Sequence, residues 1–302
     1  MRLLIVLMLS TSLMALGQTN QLVLQGEQYY KEGKFDKVIL RLEPNIHELT
    51  NDTQALWLLA ESYRELSLYS NALEYYQLLI PQIKYKEIAR INRARSTYLS
   101  NDYYGAEKYW KELANDYPNE IMYWYGAGIA CYKAQKFSEA EKYANKALKI
   151  DSSDYNALFL RSESRLKLSN YIGALADTDS CLRIQQYNNE LILNRGMCLI
   201  GLKRYKEAEQ MFKRMLTHDA KNKTGLFGLG ETYYGMKRYA DAVEQYNQCL
   251  EAHPNFELAV FKKGLAYLSM DEKVQGCHQL TLAAELGYAE AISYLQKHCG
   301  WK

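Results

Sequence analysis

The chain has 302 residues, and its 37 basic and 35 acidic side chains leave a formal net charge of only +2. This balance gives no electrostatic footprint for a nucleic acid, so we do not expect nucleic acid as a partner. The 27 tyrosines and only 4 prolines are typical of a chain made of packed helices, because proline breaks a helix interior.

The amino terminus has the pattern of a secretory signal peptide. Arg2 precedes an apolar run over residues 3–16, and Ala15 and Gly17 are small residues spaced as signal peptidase requires. We expect cleavage after Gly17, removal of residues 1–17, and export to the periplasm or the cell exterior. A membrane anchor is the alternative, but the run is shorter than the roughly 20 apolar residues that span a bilayer. No cysteine lies at the cleavage point, which argues against a lipoprotein, and no later stretch is apolar enough for an integral membrane span.

Small residues recur every 34 positions along the rest of the chain. One series consists of Gly26, Ala60, Ala94, Gly128, Ser162, Gly196, Gly230 and Gly264. A second series consists of Val38, Ala72, Ala106, Ala140, Ala174, Ala208, Ala242 and Gly276. A third, aromatic except at its last member, consists of Phe35, Tyr69, Tyr103, Phe137, Tyr171, Tyr205, Tyr239 and Lys273. Helices whose axes approach to about 8 Å need small side chains at the crossing, so the series predict stacked helical hairpins.

The clearest copy of this unit runs from Leu226 to Pro254. It carries Leu226, Leu229, Gly230, Tyr233, Tyr239, Ala242, Tyr246 and Pro254, in the pattern W-x2-L-G-x2-Y, A-x3-F and P with leucine in place of tryptophan. The sequence therefore resembles a tetratricopeptide repeat protein of the exported bacterial type. The resemblance implies an all-α solenoid of about eight repeats over residues 18–287, then a capping helix and tail over residues 288–302.

Some repeats depart from the pattern. The second helix of the first repeat weakens at Pro44 and Asn45, and the third repeat has Arg90 and Arg93 where apolar residues are expected. The eighth repeat loses its aromatic residue at Lys273. Terminal repeats often degrade in this way because they face solvent.

The family binds its ligands along a concave groove lined by the first helix of each repeat. By register, this groove would be lined by Trp57, Glu61, Ile91, Arg95, Tyr98, Tyr125, Tyr132, Phe159, Phe227, Glu231, Tyr234 and Phe261. Aromatic residues contribute much of the binding energy at protein interfaces, so a protein or an extended peptide is the expected ligand. Two alternatives stay open: single rings could pack on the next helix instead, or the rings could stack on a small molecule or glycan, which would need polar groups between them.

Some family members grip a carboxyl-terminal carboxylate with lysines, asparagines and an arginine spread over three repeats. Only Asn92 and Arg95 come close to that set, so we do not predict this clamp.

Basic residues occupy one equivalent position on several first helices, at Arg93, Arg161, Arg195 and Lys263. They could form a basic track for an acidic ligand. In many sequences of this family, however, such an arginine meets an aspartate on a second helix, and Asp177 lies at the matching place. A buried arginine needs a carboxylate to offset its desolvation, so we predict a structural pair of Arg195 and Asp177, with Arg161 as the competing partner.

The six cysteines divide into two groups. Cys131, Cys181, Cys198 and Cys249 occupy repeat positions that usually hold small packing residues, which indicates buried thiols. Cys277 and Cys299 lie on the last two helices, and their spacing is similar to that of other exported repeat arrays. Counted from the turn at Leu286 and Gly287, they lie about 15 and 18 Å along antiparallel helices, so a disulfide is predicted. A zinc site made of these cysteines with His278 and His298 is the alternative, but adjacent helical residues point about 100° apart.

The sequence has no glycine-rich phosphate loop, no H-E-x-x-H motif and no nucleophile elbow. We therefore expect no enzymatic activity, no cofactor and no metal, and interpret the protein as a non-catalytic binding scaffold.

Overall fold

The computed structural model describes residues 21–81, 86–186 and 188–301. Over these ranges the chain is all-helical, without a strand. The expected signal peptide and its cleavage point lie outside the described residues. In the part of the chain that the structure covers, no helix combines the length and apolar character needed to cross a membrane.

The chain divides into two compact units, residues 1–152 and residues 153–302. In the first unit, α1 covers residues 21–31 and is followed by α2 (Phe35–Leu42), a 3-10 turn (Glu43–Asn45) and α3 (Ile46–Leu49). The next three hairpins are α4 (Thr53–Glu65) with α5 (Tyr69–Leu79), α6 (Lys86–Leu99) with α7 (Tyr103–Asp116), and α8 (Ile121–Lys133) with α9 (Phe137–Ile150). These hairpins are the first to fourth repeats, and the predicted weakening at Pro44 and Asn45 is confirmed by the 3-10 turn.

The second unit contains four hairpins and a final helix. The hairpins, which are the fifth to eighth repeats, are α10 (Tyr155–Lys167) with α11 (Tyr171–Ile184), α12 (Asn189–Gly201) with α13 (Tyr205–His218), α14 (Lys223–Gly235) with α15 (Tyr239–Ala252), and α16 (Glu257–Ser269) with α17 (Lys273–Glu285). Helix α18 (Glu290–His298) packs on α17 as a cap.

The small residues lie where the helices of a hairpin cross. All six alanines of the second series are fully buried. At Gly230 an added Cβ would lie 2.5 Å from the Tyr246 ring, and Phe212 is held between Gly196 and Gly228, where a Cβ would approach the ring to 2.1 and 2.3 Å. The glycines therefore make room for large rings, both between the two helices of a hairpin and between one hairpin and the next.

Every hairpin turns through one residue in the left-handed conformation. These residues are Gly33, Ser67, Asn101, Gln135, Ser169, Lys203, Lys237 and Asp271, with φ between 59° and 70°. At the second turn, the Ser67 and Leu68 amides donate to the Arg64 and Tyr63 carbonyls, a Schellman ending of the first helix. The turn is therefore the same in all eight repeats, although only the first uses glycine, the residue that adopts this conformation without strain.

The structure shows why the third repeat can have arginines where the pattern has apolar residues. Arg90 is buried and its guanidinium lies 2.7 Å from the Asp116 carboxylate. Arg93 lies 3.8 Å above the centre of the Tyr109 ring and donates to Glu112. Both cations thus occupy packing positions because an acid or a ring on α7 accompanies each.

Candidate functional site

An apolar pocket of about 300 Å³ lies in the first unit, between the third and fourth repeats. Its lining residues are Arg95, Tyr98 and Leu99 of α6, Trp110 of α7, and Met122, Tyr125, Gly126 and Ile129 of α8. We refer to these eight residues as the apolar pocket. The 34-residue period explains why they meet, because Arg95 and Ile129 are equivalent positions on successive first helices.

The floor of the apolar pocket is the indole of Trp110. This side chain is only 5% exposed, and its ring stacks on Tyr123 with the centroids 6.1 Å apart. A Cβ at Gly126 would lie 2.6 Å from Trp110 Cδ2, so the indole packs directly against the backbone of α8 at this glycine. Glycine at this point of α8 therefore allows the helix to approach the indole closely.

The rim combines exposed apolar side chains with one cation. Leu99 and Met122 are 46% and 41% exposed, and both line the pocket. Arg95 is exposed, and its guanidinium donates to Met122 Sδ at 3.7 Å, with no ion pair to an acid of the described residues. The rim can therefore offer apolar contacts and a cation to the same ligand.

Tyr98 lies beside Arg95, and its ring contacts Tyr103 at 5.4 Å. Burial, with a smaller effect of Tyr103, raises the pKa of Tyr98. The phenol is therefore neutral near physiological pH and keeps its hydroxyl proton for donation.

The structure brings together three of the predicted groove residues, Arg95, Tyr98 and Tyr125, in this pocket. The other aromatic ones contact rings nearby. Trp57 lies edge-on to Tyr76, Tyr132 to Phe137 and Tyr234 to Tyr239, while Phe159 stacks on Tyr155, Phe227 contacts Phe256, and Phe261 contacts Tyr288. Ile91 is buried.

The two predicted groove glutamates are buried and bonded within the protein. Glu61 accepts hydrogen bonds from the Tyr76 hydroxyl at 2.6 Å and from Asn92 at 2.7 Å, and it pairs with Arg64. Glu231 stands at the equivalent place, where it accepts from Tyr246 and from Lys262 at 2.7 Å. Each glutamate thus links both helices of one repeat to the first helix of the next.

The predicted pair of Arg195 and Asp177 does not form. Asp177 is 3% exposed and binds Arg161 through two hydrogen bonds of 2.9 and 2.7 Å, while Arg165 donates a third at 2.8 Å. Arg195 instead contacts Asp179 at 2.8 Å. The reason is the rotation of α11: Asp177 faces α10 of its own hairpin, whereas Asp179, about 200° further round, faces α12.

Cys277 and Cys299 are bonded to each other, with Sγ atoms 1.98 Å apart and Cα atoms 5.7 Å apart. The bond joins α17 to the end of α18. The remaining cysteines are buried thiols, and burial raises the pKa of Cys131 and Cys198 to about 12 and that of Cys181 and Cys249 to about 11. Among the residues described, no histidine, cysteine and carboxylate side chains are grouped as a metal would require.

Five of the eight residues in the apolar pocket were missed by the sequence analysis. They are Leu99, Trp110, Met122, Gly126 and Ile129. The available signal was an apolar residue at the end of one first helix, Leu99 in α6, and another at the start of the next, Met122 in α8.

Family models described as tetratricopeptide repeat match residues 54–80, 121–154 and 199–262. Hsp70-Hsp90 organizing protein 3 of Arabidopsis thaliana is 28% identical over 102 residues, which are 34% of this chain and 18% of that protein. The BBSome complex member BBS4 homolog of Drosophila melanogaster is 24% identical over 183 residues, or 57% of this chain and 36% of that protein. The chain thus spans well under half the length of these curated relatives.

A solved structure shares the fold over most of the chain. It is the crystal structure of a tetratricopeptide repeat protein from Parabacteroides merdae ATCC 43184, which is 16% identical, with a TM-score of 0.72 over 81% of this chain and 97% of that one.

Proposed function

This chain is a tetratricopeptide repeat protein of the all-α solenoid class, and we propose that it is a non-catalytic scaffold that binds an extended peptide segment in the apolar pocket. The observation that carries the proposal is that Leu99 and Met122, both exposed, line the same pocket as the Trp110 indole. Water-exposed apolar surface of this kind is stabilised when a ligand covers it.

The ligand chemistry follows from the lining. A volume of about 300 Å³ accommodates one large apolar side chain above the Trp110 indole. Arg95 at the rim would bind a carboxylate two to three residues along the same segment, because a planar guanidinium accommodates both carboxylate oxygens. We therefore propose a peptide with a large aliphatic or aromatic residue close to an acidic group.

A glycan or small polar ligand has less support. Such a ligand needs several polar groups placed between stacking rings. In the apolar pocket, Leu99, Trp110, Met122 and Ile129 present carbon and sulfur surface, and Arg95 is the one charged residue of the lining. The scaffold class also agrees with the name of the Arabidopsis relative, which describes the organizing of other proteins.

We also propose that the protein works outside the cytoplasm, in the periplasm or beyond. The composition of residues 1–17 supports this location, and so does the disulfide of Cys277 and Cys299, because such bonds persist in oxidising compartments.

Selection of a random peptide library on the full chain tests the binding proposal. We expect enriched peptides to share a large apolar residue near an acid, and to lose about tenfold or more in affinity for the Leu99→Ala–Met122→Ala and Arg95→Gln variants. The matched control is Leu168→Ala, which removes a leucine that is 40% exposed in the second unit. Equal affinity for wild type and both pocket variants would refute the proposed site.

A further inference from the structure

We infer that the carboxyl-terminal end of the second unit contains a separate binding site, for an anionic group carried on an aromatic or aliphatic body. A pocket of about 490 Å³ lies there between α16, α17 and α18. Its lining includes three basic residues, Lys273, Lys297 and His298, and a single acidic one, Asp271. None of these belongs to the apolar pocket, which lies in the other unit.

The disulfide brings the basic residues together. Lys273 begins α17, and Cys277 follows one turn later on the same helical face. Lys297 and His298 immediately precede Cys299 at the end of α18. Because the bond holds the two cysteine Cα atoms 5.7 Å apart, the start of α17 and the end of α18 face the same pocket.

The two lysines have little compensating charge close by. Neither lysine, nor His298, forms an ion pair within 4.0 Å with an acid of the described residues, Asp271 included. Two lysines against one aspartate leave an excess of positive charge at a concave surface, which favours an anionic ligand. The site would hold a phosphate or a carboxylate, since both accept several hydrogen bonds from lysine and histidine.

The remaining walls define the body of the ligand. Leu265 and Leu268 are partly buried and line the pocket together with the rings of Tyr234 and Tyr294. The His298 ring lies on that of Tyr294, with the centroids 6.0 Å apart. An anion alone would leave this surface uncovered, whereas a ring or short aliphatic chain attached to the anion would contact it.

The position of α18 makes the site dependent on the disulfide. This helix has nine residues, and only Ala291 and Leu295 within it are buried. Reduction would release its last turn, which carries two of the three basic groups. The ligand should therefore bind the oxidised protein better than the reduced one.

Calorimetric titration of the full oxidised chain with phenyl phosphate, benzoate and benzyl alcohol tests the ligand class. We expect both anions to bind at least about tenfold more tightly than the neutral alcohol, because charge-assisted hydrogen bonds are lost with the alcohol. The stronger of the two anions identifies the preferred group. The inference would be overturned if neither phenyl phosphate nor benzoate binds at millimolar concentration, or if benzyl alcohol binds as tightly as the anions.

Variants locate the site. Lys273→Gln–Lys297→Gln should weaken the preferred anion about tenfold, while Lys203→Gln–Lys237→Gln, at turn positions outside the pocket, should leave it unchanged. Cys277→Ser–Cys299→Ser should also weaken it, by about fivefold or more, with helical content retained by circular dichroism. Anion binding that survives the first double variant contradicts the site, and full affinity in the serine variant contradicts its dependence on the disulfide.

Discussion

Asp177→Ala removes a buried carboxylate that two arginines share. Three hydrogen bonds of 2.7 to 2.9 Å join Asp177 to Arg161 and Arg165, whose side chains are 20% and 19% exposed. Removing one partner of a buried ion pair costs about 3–5 kcal/mol, because the remaining charge stays desolvated. Since about a fifth of each arginine still reaches solvent, we expect a loss of about 2–4 kcal/mol in the free energy of unfolding.

The same helix provides the control. Asp179→Ala breaks the ion pair with Arg195. The Asp179 and Arg195 side chains are 39% and 32% exposed, so the loss in the free energy of unfolding should be less than about 1 kcal/mol. Urea denaturation followed by circular dichroism measures both variants against the parent. If Asp177→Ala destabilises the protein no more than Asp179→Ala does, the burial argument for the Asp177 pair is wrong.

Other predictions concern the turns, the core and the cysteines. Lys237→Gly should stabilise the protein by about 0.5–1 kcal/mol in urea denaturation, because φ is 62° there, and an unchanged midpoint would count against strain at these turns. Gly228→Ala should destabilise by about 1–3 kcal/mol because its Cβ would lie 2.3 Å from Phe212, and Phe212→Leu should recover part of that loss; a neutral Gly228→Ala would contradict the packing. Cys277→Ser–Cys299→Ser should cost about 3 kcal/mol, the entropy of closing a 22-residue separation, and a loss under about 1 kcal/mol would argue against it. Cys131 and Cys198, with pKa values raised to about 12, should resist alkylation in the native protein, whereas rapid labelling would show that these sites open. Intact-mass measurement of exported protein should find Gln18 as the first residue, and retention of Met1 would refute the export proposal.

The hairpins could be predicted from the sequence because their crossings impose a strong constraint. A small residue at Gly230 or Ala242 is required wherever two backbones approach closely, and that requirement repeats with the fold. The left-handed turns were missed because the residues at these positions are of different types, for example lysine at Lys203 and aspartate at Asp271, and share no side-chain property. Their common feature is the left-handed backbone conformation of the turn that joins the two helices of each hairpin.

Side-chain orientation was harder to predict than the hairpins. Asp177 and Asp179 are two residues apart, yet they contact arginines of different hairpins, because their side chains leave α11 about 200° apart. Register places Trp57 and Tyr125 on equivalent faces but does not say which residues each ring contacts. The close packing of Gly126 on the Trp110 ring joins residues of two different helices. Contacts of this kind cannot be predicted until the packing of the helices against one another is known.

Site-specific photocrosslinking within the native cell tests the central claim most directly. A photoreactive phenylalanine analogue at Leu99, 46% exposed on the rim of the apolar pocket, is compared with the same analogue at Leu168, 40% exposed in the second unit. We predict a discrete protein adduct from position 99 that Arg95→Gln reduces and that a selected peptide competes away. Equal adducts from both positions, or an adduct from position 168 alone, would contradict binding in the apolar pocket.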